Sequence, residues 1–260
     1  MTWAHTGAIT LRYTMRDGSG PTLVLLHEMG GCLESWDAVI DLLPPEYRCL
    51  SYDARGAGLS EKPVAPPTIA LLANDLAGLL ATLGIDGPVA LAGCAVGAAT
   101  AIRFAADHPA RVSHLVLFAP ATGIAPHRRE ALRATADAIE RDGMRARIAQ
   151  RFDHSYAAPY FEGRSDREAV RARLLQNDPH SYAALHRMLC DLDLTAALAQ
   201  IAAPTLVVAG ARDGTRPPAL VEPVAAAIAG ARYRLIDSGH AMPILSPDLV
   251  AGAIHDHLSA

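Results

Sequence analysis

The segment Gly93-Cys94-Ala95-Val96-Gly97 is the first place where residue type and spacing suggest chemistry. The apolar run Val89 to Ala92 before it predicts a buried strand, and a helical pattern follows from Ala98. Two glycines at such a junction allow the sharp bend, called a nucleophile elbow, that presents one side chain to a substrate. That side chain is the methyl group of Ala95, which has no oxygen or sulfur to attack with.

Cys94 has a nucleophilic side chain but lies one position before the predicted apex of the bend. Its sulfur should therefore point away from the position of attack. We expect Cys94 to be a structural or pocket-lining thiol rather than the nucleophile.

The segment His27-Glu28-Met29-Gly30-Gly31 directly follows the predicted strand Leu23 to Leu26. In an elbow-type site, a loop at this place supplies one of two backbone N–H groups that stabilise an oxyanion. We assign this role to the Met29 amide, with the Val96 amide as its partner. We expect the His27 imidazole to pack beneath the loop, and we also count His27 and Glu28 among possible substrate contacts.

Asp213 and His240 each follow a predicted strand, at Thr205 to Ala209 and Tyr233 to Ile236. Ligands bind parallel sheets at the carboxyl ends of the strands, so these two residues are expected at the same edge. A histidine can remove a proton from an attacking group, and an aspartate can orient that histidine. Weaker candidates for the acid are Asp191, Asp193 and Asp237.

Buried strands alternating with helices predict an α/β fold with a mostly parallel, doubly wound sheet. Alternation from Ile9 to Met15, followed by the turn residues Asp17 to Gly20, predicts a hairpin at the sheet edge. No buried strand is predicted between Ala125 and Ala199. We therefore predict a helical cap at 125–199, inserted between core segments 1–124 and 200–260.

Composition narrows the classes of function. The net charge is −4, with 51% hydrophobic and 19% charged residues, and no concentrated basic patch points to nucleic acid. The four cysteines have no metal-ligand spacing, no signal-peptide pattern is visible, and no apolar run reaches the ~18–20 residues of a membrane span. We expect a cytoplasmic protein that acts on a small molecule without metal or organic cofactor; the oligomeric state stays open.

Together these segments, with Asp53-Ala54-Arg55-Gly56-Ala57-Gly58-Leu59-Ser60, resemble the α/β-hydrolase family over nearly the whole chain. The stretches from Asp191 to Leu194 and from Ile201 to Gly210 are similar to 3-oxoadipate enol-lactonases and related lactonases and esterases. The resemblance implies the α/β-hydrolase fold and a serine hydrolase of carboxylic esters or lactones, with carbon–carbon bond hydrolysis also possible in this family. The resemblance also implies that Asp53 and Arg55 have a structural rather than a catalytic role.

Two residues depart from that family. Glu28 stands where the family usually has glycine, and Ala95 stands where it has the catalytic serine. The Ala95 departure fits an engineered serine replacement, a natural non-catalytic ligand-binding relative, or a cofactor-free lyase or oxygenase with His240 as base. We favour the first, since a chain without catalysis has no physical reason to keep Asp213 and His240.

The predicted cap should cover the site and contact the substrate. Aromatic and polar candidates there, together with a tryptophan after the oxyanion loop, are Trp36, Phe152, His154, Tyr156, Tyr160, Phe161, Tyr182 and His186. Arg128, Arg129 and Arg133 are possible partners for a substrate carboxylate, although we expect them on a solvated helix face.

Overall fold

The computed structural model describes residues 2–260, with the side chains of residues 146, 147, 149–151 and 154 outside the description. The described residues form one eight-stranded sheet. Its strands are Thr2–His5 (β1), Thr10–Arg16 (β2), Thr22–Leu26 (β3), Arg48–Tyr52 (β4), Val89–Cys94 (β5), Val112–Phe118 (β6), Thr205–Gly210 (β7) and Arg232–Ile236 (β8).

The strand order is β1-β2-β4-β3-β5-β6-β7-β8, and every pair from β4 to β8 is parallel. All residues of β3, β5 and β7 are buried, as expected for strands with helices on both faces. The predicted mostly parallel, doubly wound sheet is therefore confirmed.

The strand β2, predicted to form an edge hairpin closed by Asp17 to Gly20, pairs with other strands than that prediction requires. β2 pairs antiparallel with β1 on one side and with β4 on the other. The residues Asp17 to Gly20 lead into β3, which is not a neighbour of β2. The prediction of a hairpin closed by that turn was wrong, because β4, from outside the local sequence, takes the place beside β2.

Helices surround the sheet. They are Asp37–Leu42 (α1), Ile69–Thr82 (α2), Val96–Asp107 (α3), Pro126–Asp142 (α4), Met144–Ser155 (α5), Arg167–Leu175 (α6), Pro179–Asp191 (α7), Thr195–Leu198 (α8), Pro218–Ala226 (α9), Met242–Leu245 (α10) and Pro247–Leu258 (α11). Thr68 is the N-cap residue of α2, and its hydroxyl accepts the Leu71 N–H at 3.1 Å. In the described part of the chain, none of these helices has the length and apolar character to cross a membrane.

Alternate residues of β3 belong to two hydrophobic cores, one on each face of the sheet. Leu23 and Leu25 pack with apolar residues of α1 and α11. Val24 and Leu26 pack with α2, α3 and α9 on the opposite face. The helices on both faces hold the carboxyl ends of the parallel strands at one edge, where the loops that follow them meet.

Helices α4 to α8 occupy the chain between β6 and β7. α4 packs along α7, and Arg187 of α7 pairs with Asp137 at 2.7 Å and Glu140 at 2.5 Å of α4. No strand lies at 125–199 among the described residues. We call α4 to α8 the inserted helices; their role as a cap stays a prediction.

The segment Asp53 to Ser60 is tied into the fold by buried ion pairs. Asp53 pairs with Arg12 at 2.6 Å and accepts the N–H groups of Leu33 and Leu59, both at 2.7 Å. Arg55 forms a bidentate pair with Asp75 at 2.7 and 2.6 Å. These contacts agree with a structural role for Asp53 and Arg55.

Candidate active site

The bend between β5 and α3 places Ala95 in a strained backbone conformation. Its φ is 52° and its ψ is −109°, a combination that L-residues rarely adopt. A Cβ on Gly93 would lie 2.6 Å from backbone atoms of Gly97 and Ala98, and a Cβ on Gly97 would lie 2.3 Å from the Leu26 carbonyl oxygen. The two glycines are therefore required by the tight approach of the strand and helix.

A cavity of about 910 Å³ lies at this edge of the sheet, and we call it the main cavity. Ala95, Val96, Met29, Glu28 and His240 all line it. Three loops predicted from separate parts of the sequence thus meet at one cavity.

His240 and Asp213 form a hydrogen-bonded pair. His240 Nδ1 and Asp213 Oδ2 are 2.7 Å apart, and the Asp213 carboxylate is fully buried. Asp213 Oδ1 accepts the backbone N–H groups of Thr215 and Arg216, both at 2.8 Å. Because the carboxylate accepts a hydrogen bond from Nδ1–H, the Nε2 atom of a neutral His240 keeps its lone pair for a proton in the cavity.

The two amides assigned to the oxyanion lie on the loop after β3 and at the start of α3. Val96 is the first residue of α3, where backbone N–H groups have no partner within the helix. The partial positive charge of a helix N-terminus favours an oxygen anion nearby. Met29 lines the same cavity, so its place is compatible with the predicted partnership, which stays a prediction.

Glu28 places a buried carboxyl group in the wall of the main cavity. The residue is 2% exposed, and its Oε1 atom accepts the Ser35 hydroxyl at 3.1 Å. Oε2 has no hydrogen-bond partner among the described residues. A buried carboxyl group therefore stands beside the candidate oxyanion site.

His27 is held by two hydrogen bonds beneath the loop. Its Nε2 atom accepts the Ala54 N–H at 3.0 Å, and its Nδ1 atom lies 2.7 Å from the Glu28 carbonyl oxygen. It does not line the main cavity. Both ring nitrogens are engaged, which agrees with the expected packing beneath the loop, and the substrate contact of His27 stays a prediction.

Cys94 is fully buried and does not line the main cavity. Its Sγ atom lies 3.6 Å from the His240 carbonyl oxygen. Burial raises the pKa of this thiol well above its usual value, and the carboxylates of Glu28 and Asp213 raise it further. A protonated, buried thiol agrees with a structural position for Cys94, and its contact with substrate stays a prediction.

Two aromatic candidates also lie outside the cavity lining. Trp36 is fully buried in the core, with its ring edge against Phe118 at a centroid distance of 6.2 Å. Tyr160 packs under the guanidinium of Arg212 at 4.9 Å and beside Gly239. Each ring packs within the protein, and the structure does not bring either one to the main cavity.

Other predicted contacts do line the main cavity: Phe152, Tyr156, Tyr182 and His186. Phe161 packs in a hydrophobic cluster instead, and the His154 side chain lies outside the described residues. Arg128 and Arg129 line the cavity, whereas Arg133 pairs with Asp191 at 2.7 Å on the surface. The inserted helices thus supply much of the wall opposite the sheet edge.

Part of the cavity wall is formed by residues that the sequence did not predict. Thr122 and Gly123 follow β6, and Thr215 and Arg216 follow Asp213. The position of Arg216, three residues after the predicted acid, was the available signal. The burial of Arg216, which makes it a candidate, is a tertiary property that the sequence does not show.

One group of possible metal-ligand atoms lies among the described residues, at Cys32, Glu34 and Asp53. Arg12 pairs with both carboxylates at 2.6 Å, so a cation already occupies the place of a metal ion. Burial raises the pKa of the Cys32 thiol far above its usual range. This group does not fit a metal site and lies apart from the lining of the main cavity.

Comparisons with known proteins agree with this architecture. Residues 21–247 match the family model described as alpha/beta hydrolase fold. The chain is 30% identical over 245 residues to "Putative carbamate hydrolase RutD" of Klebsiella pneumoniae (strain 342), covering 92% of each chain.

Solved structures are similar over nearly the full chain. The enol-lactonase from Burkholderia xenovorans LB400 superposes with a TM-score of 0.90 at 29% identity, covering 100% of both chains. A thermophilic esterase from Thermogutta terrifontis, solved with malate bound, gives a TM-score of 0.89 at 29% identity, covering 96% of this chain and 93% of that one.

Proposed function

The chain belongs to the α/β-hydrolase fold family, and we propose that its main cavity is built for acyl transfer from a small carboxylic ester or lactone. One observation carries the proposal. His240, whose Nδ1 atom lies 2.7 Å from Asp213 Oδ2, lines the same cavity as Ala95 at the apex of the bend. A base and the position of a nucleophile are thus provided at one edge of the sheet.

In this proposal each group has a defined task. A hydroxyl at position 95 would attack the carbonyl carbon while His240 Nε2 takes its proton, and His240 would return that proton to the leaving alcohol. Asp213 would hold the imidazole in the tautomer that accepts at Nε2. The Met29 and Val96 amides would stabilise the oxyanion of the tetrahedral intermediate.

Ala95 removes the first of these tasks. Loss of the nucleophile from a triad costs about a millionfold in kcat in a serine protease. We therefore propose that the chain with Ala95 is nearly inert in covalent acyl transfer and behaves as a serine-to-alanine form of the hydrolase. The cavity, the imidazole and the carboxylate are retained, so substrate binding should survive.

The names of the relatives guide the choice of substrates. One similar structure is an enol-lactonase, another is an esterase, and one similar sequence is named as a carbamate hydrolase. All three bond types present a carbonyl carbon next to a leaving oxygen or nitrogen. A test panel should therefore contain esters, lactones and carbamates.

Ligand binding without turnover is a second candidate, favoured by the methyl group of Ala95 itself. A receptor would bind its ligand equally well with or without a hydroxyl at position 95. A cofactor-free reaction that uses His240 as base would instead proceed in the chain as it stands and stop in His240→Ala.

The test is the variant Ala95→Ser, assayed on the panel beside the unsubstituted chain. We expect hydrolysis to rise by several orders of magnitude for at least one ester or lactone, and to disappear in Ala95→Ser/His240→Ala. Ala131→Ser is the matched control, because it adds a hydroxyl to the same cavity wall on an inserted helix away from the bend. A folded Ala95→Ser protein that hydrolyses nothing on the panel would reject the proposal.

A further inference from the structure

Arginines are prominent in one part of the main cavity wall. Arg216 lines it from the loop after β7, and Arg128 and Arg129 line it from α4. Arg128 lies on an exposed part of α4 and is solvated. Arg216 is different, because it is only 8% exposed.

Two contacts fix the position of Arg216. Its backbone N–H donates to Asp213 Oδ1 at 2.8 Å, so it is attached to the same loop as the candidate triad acid. Its Nη2 atom donates to the Gly123 carbonyl oxygen at 2.9 Å. A guanidinium carries five N–H donors, so most of its donors remain for another partner.

Arg216 has no ion-pair partner within 4.0 Å in the described part of the chain. The nearby Arg212 pairs with Asp237 at 2.6 Å, and Asp213, three residues before Arg216, already accepts hydrogen bonds at both oxygens. Arg216 is thus a buried cation held beside a cavity without a carboxylate bound to its free donors.

Burial of the Arg216 guanidinium disfavours its charged form. Burial lowers the pKa of Arg216 to about 10; Asp213 acts against this shift and Arg128 adds to it. The side chain nevertheless stays charged at neutral pH. An anion that entered the cavity would restore the interactions that burial removed, and a planar carboxylate fits the fork of a guanidinium with two parallel hydrogen bonds.

We propose that Arg216 is the binding residue for a carboxylate on the substrate, at a place distinct from the carbonyl that is attacked. This inference rests on the proposed function and narrows it: the substrate is an anionic acyl compound, such as a half ester of a dicarboxylic acid or a lactone that carries a carboxylate. Arg128, in the same wall, adds favourable long-range charge.

The loop from Asp213 to Arg216 then determines substrate specificity. One end of the loop orients His240, and the other end holds the far end of the substrate. A substrate that engages Arg216 is therefore positioned relative to the imidazole through only three residues of chain.

Binding to the chain as it stands provides the first arm of the test. Monoethyl adipate and diethyl adipate are compared by calorimetry at pH 7.5, since they differ only in the carboxylate. We expect the half ester to bind at least about tenfold more tightly, as for a hydrogen-bonded charge pair. Equal affinities for the two esters would overturn the inference without any variant.

Variants provide the second arm. Arg216→Gln should reduce the affinity for monoethyl adipate about tenfold and leave diethyl adipate within twofold. Arg216→Lys should keep part of the preference, since it retains the charge but loses the fork. Arg212→Gln, in the same loop but paired with Asp237 at the surface, is the matched control and should keep the full preference. Thermal melting identifies an Arg216 variant that fails to fold, and the comparison of the two esters then decides alone.

Kinetics in the Ala95→Ser background separates this inference from the proposed function. If that variant hydrolyses p-nitrophenyl hexanoate and the p-nitrophenyl half ester of adipic acid with equal kcat/KM, the function holds and the carboxylate site is wrong. If it hydrolyses neither ester, the proposed function is wrong, and the binding preference still tests the site.

Discussion

The replacement Asp213→Asn tests how the carboxylate controls the imidazole. Asparagine has the same shape as aspartate but carries one oxygen and one NH₂ group. In the structure, Asp213 Oδ1 accepts two backbone N–H groups at 2.8 Å, from Thr215 and Arg216, while Oδ2 faces His240 Nδ1 at 2.7 Å.

These contacts fix the orientation of the new amide. Its oxygen will stay on the two backbone donors, because an NH₂ group there would face two N–H groups. The NH₂ group will then face His240, whose Nδ1 atom has to accept a hydrogen bond and give up its proton. The proton moves to Nε2, the atom that must take a proton from a nucleophile.

The expected effect on catalysis is large and the effect on stability is small. The same replacement in a serine protease triad lowers kcat about 10⁴-fold through the wrong tautomer. We expect a loss of about this size in Ala95→Ser/Asp213→Asn relative to Ala95→Ser. All three hydrogen bonds remain in number, so the free energy of unfolding should change by no more than about 1 kcal/mol.

Two assays measure the outcome. Nitrogen-15 NMR of the chain with Ala95 reports the tautomer of His240 without any turnover, and steady-state kinetics in the Ala95→Ser background reports kcat. Asp237→Asn is the matched control, since Asp237 lies on the surface paired with Arg212. The reasoning fails if Asp213→Asn leaves the proton of His240 on Nδ1, or if the double variant keeps kcat within tenfold.

Two further predictions concern the fold that holds the site. Asp75→Ala leaves the buried Arg55 without its bidentate partner and should lower the free energy of unfolding by about 3–5 kcal/mol. The control Asp191→Ala breaks an exposed ion pair and should lower the free energy of unfolding by less than about 1 kcal/mol. Similar denaturation midpoints for the two variants would contradict this prediction. Gly97→Ala places a Cβ 2.3 Å from the Leu26 carbonyl oxygen and should destabilise by about 3 kcal/mol or more. Gly252→Ala, exposed in α11 with no atom within 4 Å of the new Cβ, should be neutral or stabilising by up to about 1 kcal/mol; an equally stable Gly97→Ala protein would refute the tight bend.

Local patterns predicted the core elements well. The strands predicted at Leu23 to Leu26, Thr205 to Ala209 and Tyr233 to Ile236 lie within one residue of the bounds of β3, β7 and β8, because buried strands are marked by short-range composition. The hairpin failed for the opposite reason. The partner of β2 is chosen by the register Tyr13 to Tyr52, a pairing that no local turn signal contains.

In the candidate site, too, local features were predictable from the sequence and tertiary ones were not. The strand ends before Glu28, Asp213 and His240 were visible in the sequence, and parallel strands must bring such ends to one edge. The directions of side chains beyond the strands were not visible. Trp36 and Tyr160 have suitable chemistry, but packing against Phe118 and Arg212 removes them from the cavity. Arg216 was missed because its burial depends on the Gly123 loop, 93 residues away.

The most direct test of the proposed function is detection of an acyl-enzyme in Ala95→Ser. The variant is mixed with a p-nitrophenyl ester and quenched in acid within the first turnover. Its mass is then measured by intact-protein mass spectrometry. We predict a mass increase of one acyl group that maps to the peptide containing residues 93–97 and is absent from Ala95→Ser/His240→Ala. A folded Ala95→Ser protein that releases no nitrophenol and carries no adduct, across esters of different length and charge, would contradict the account.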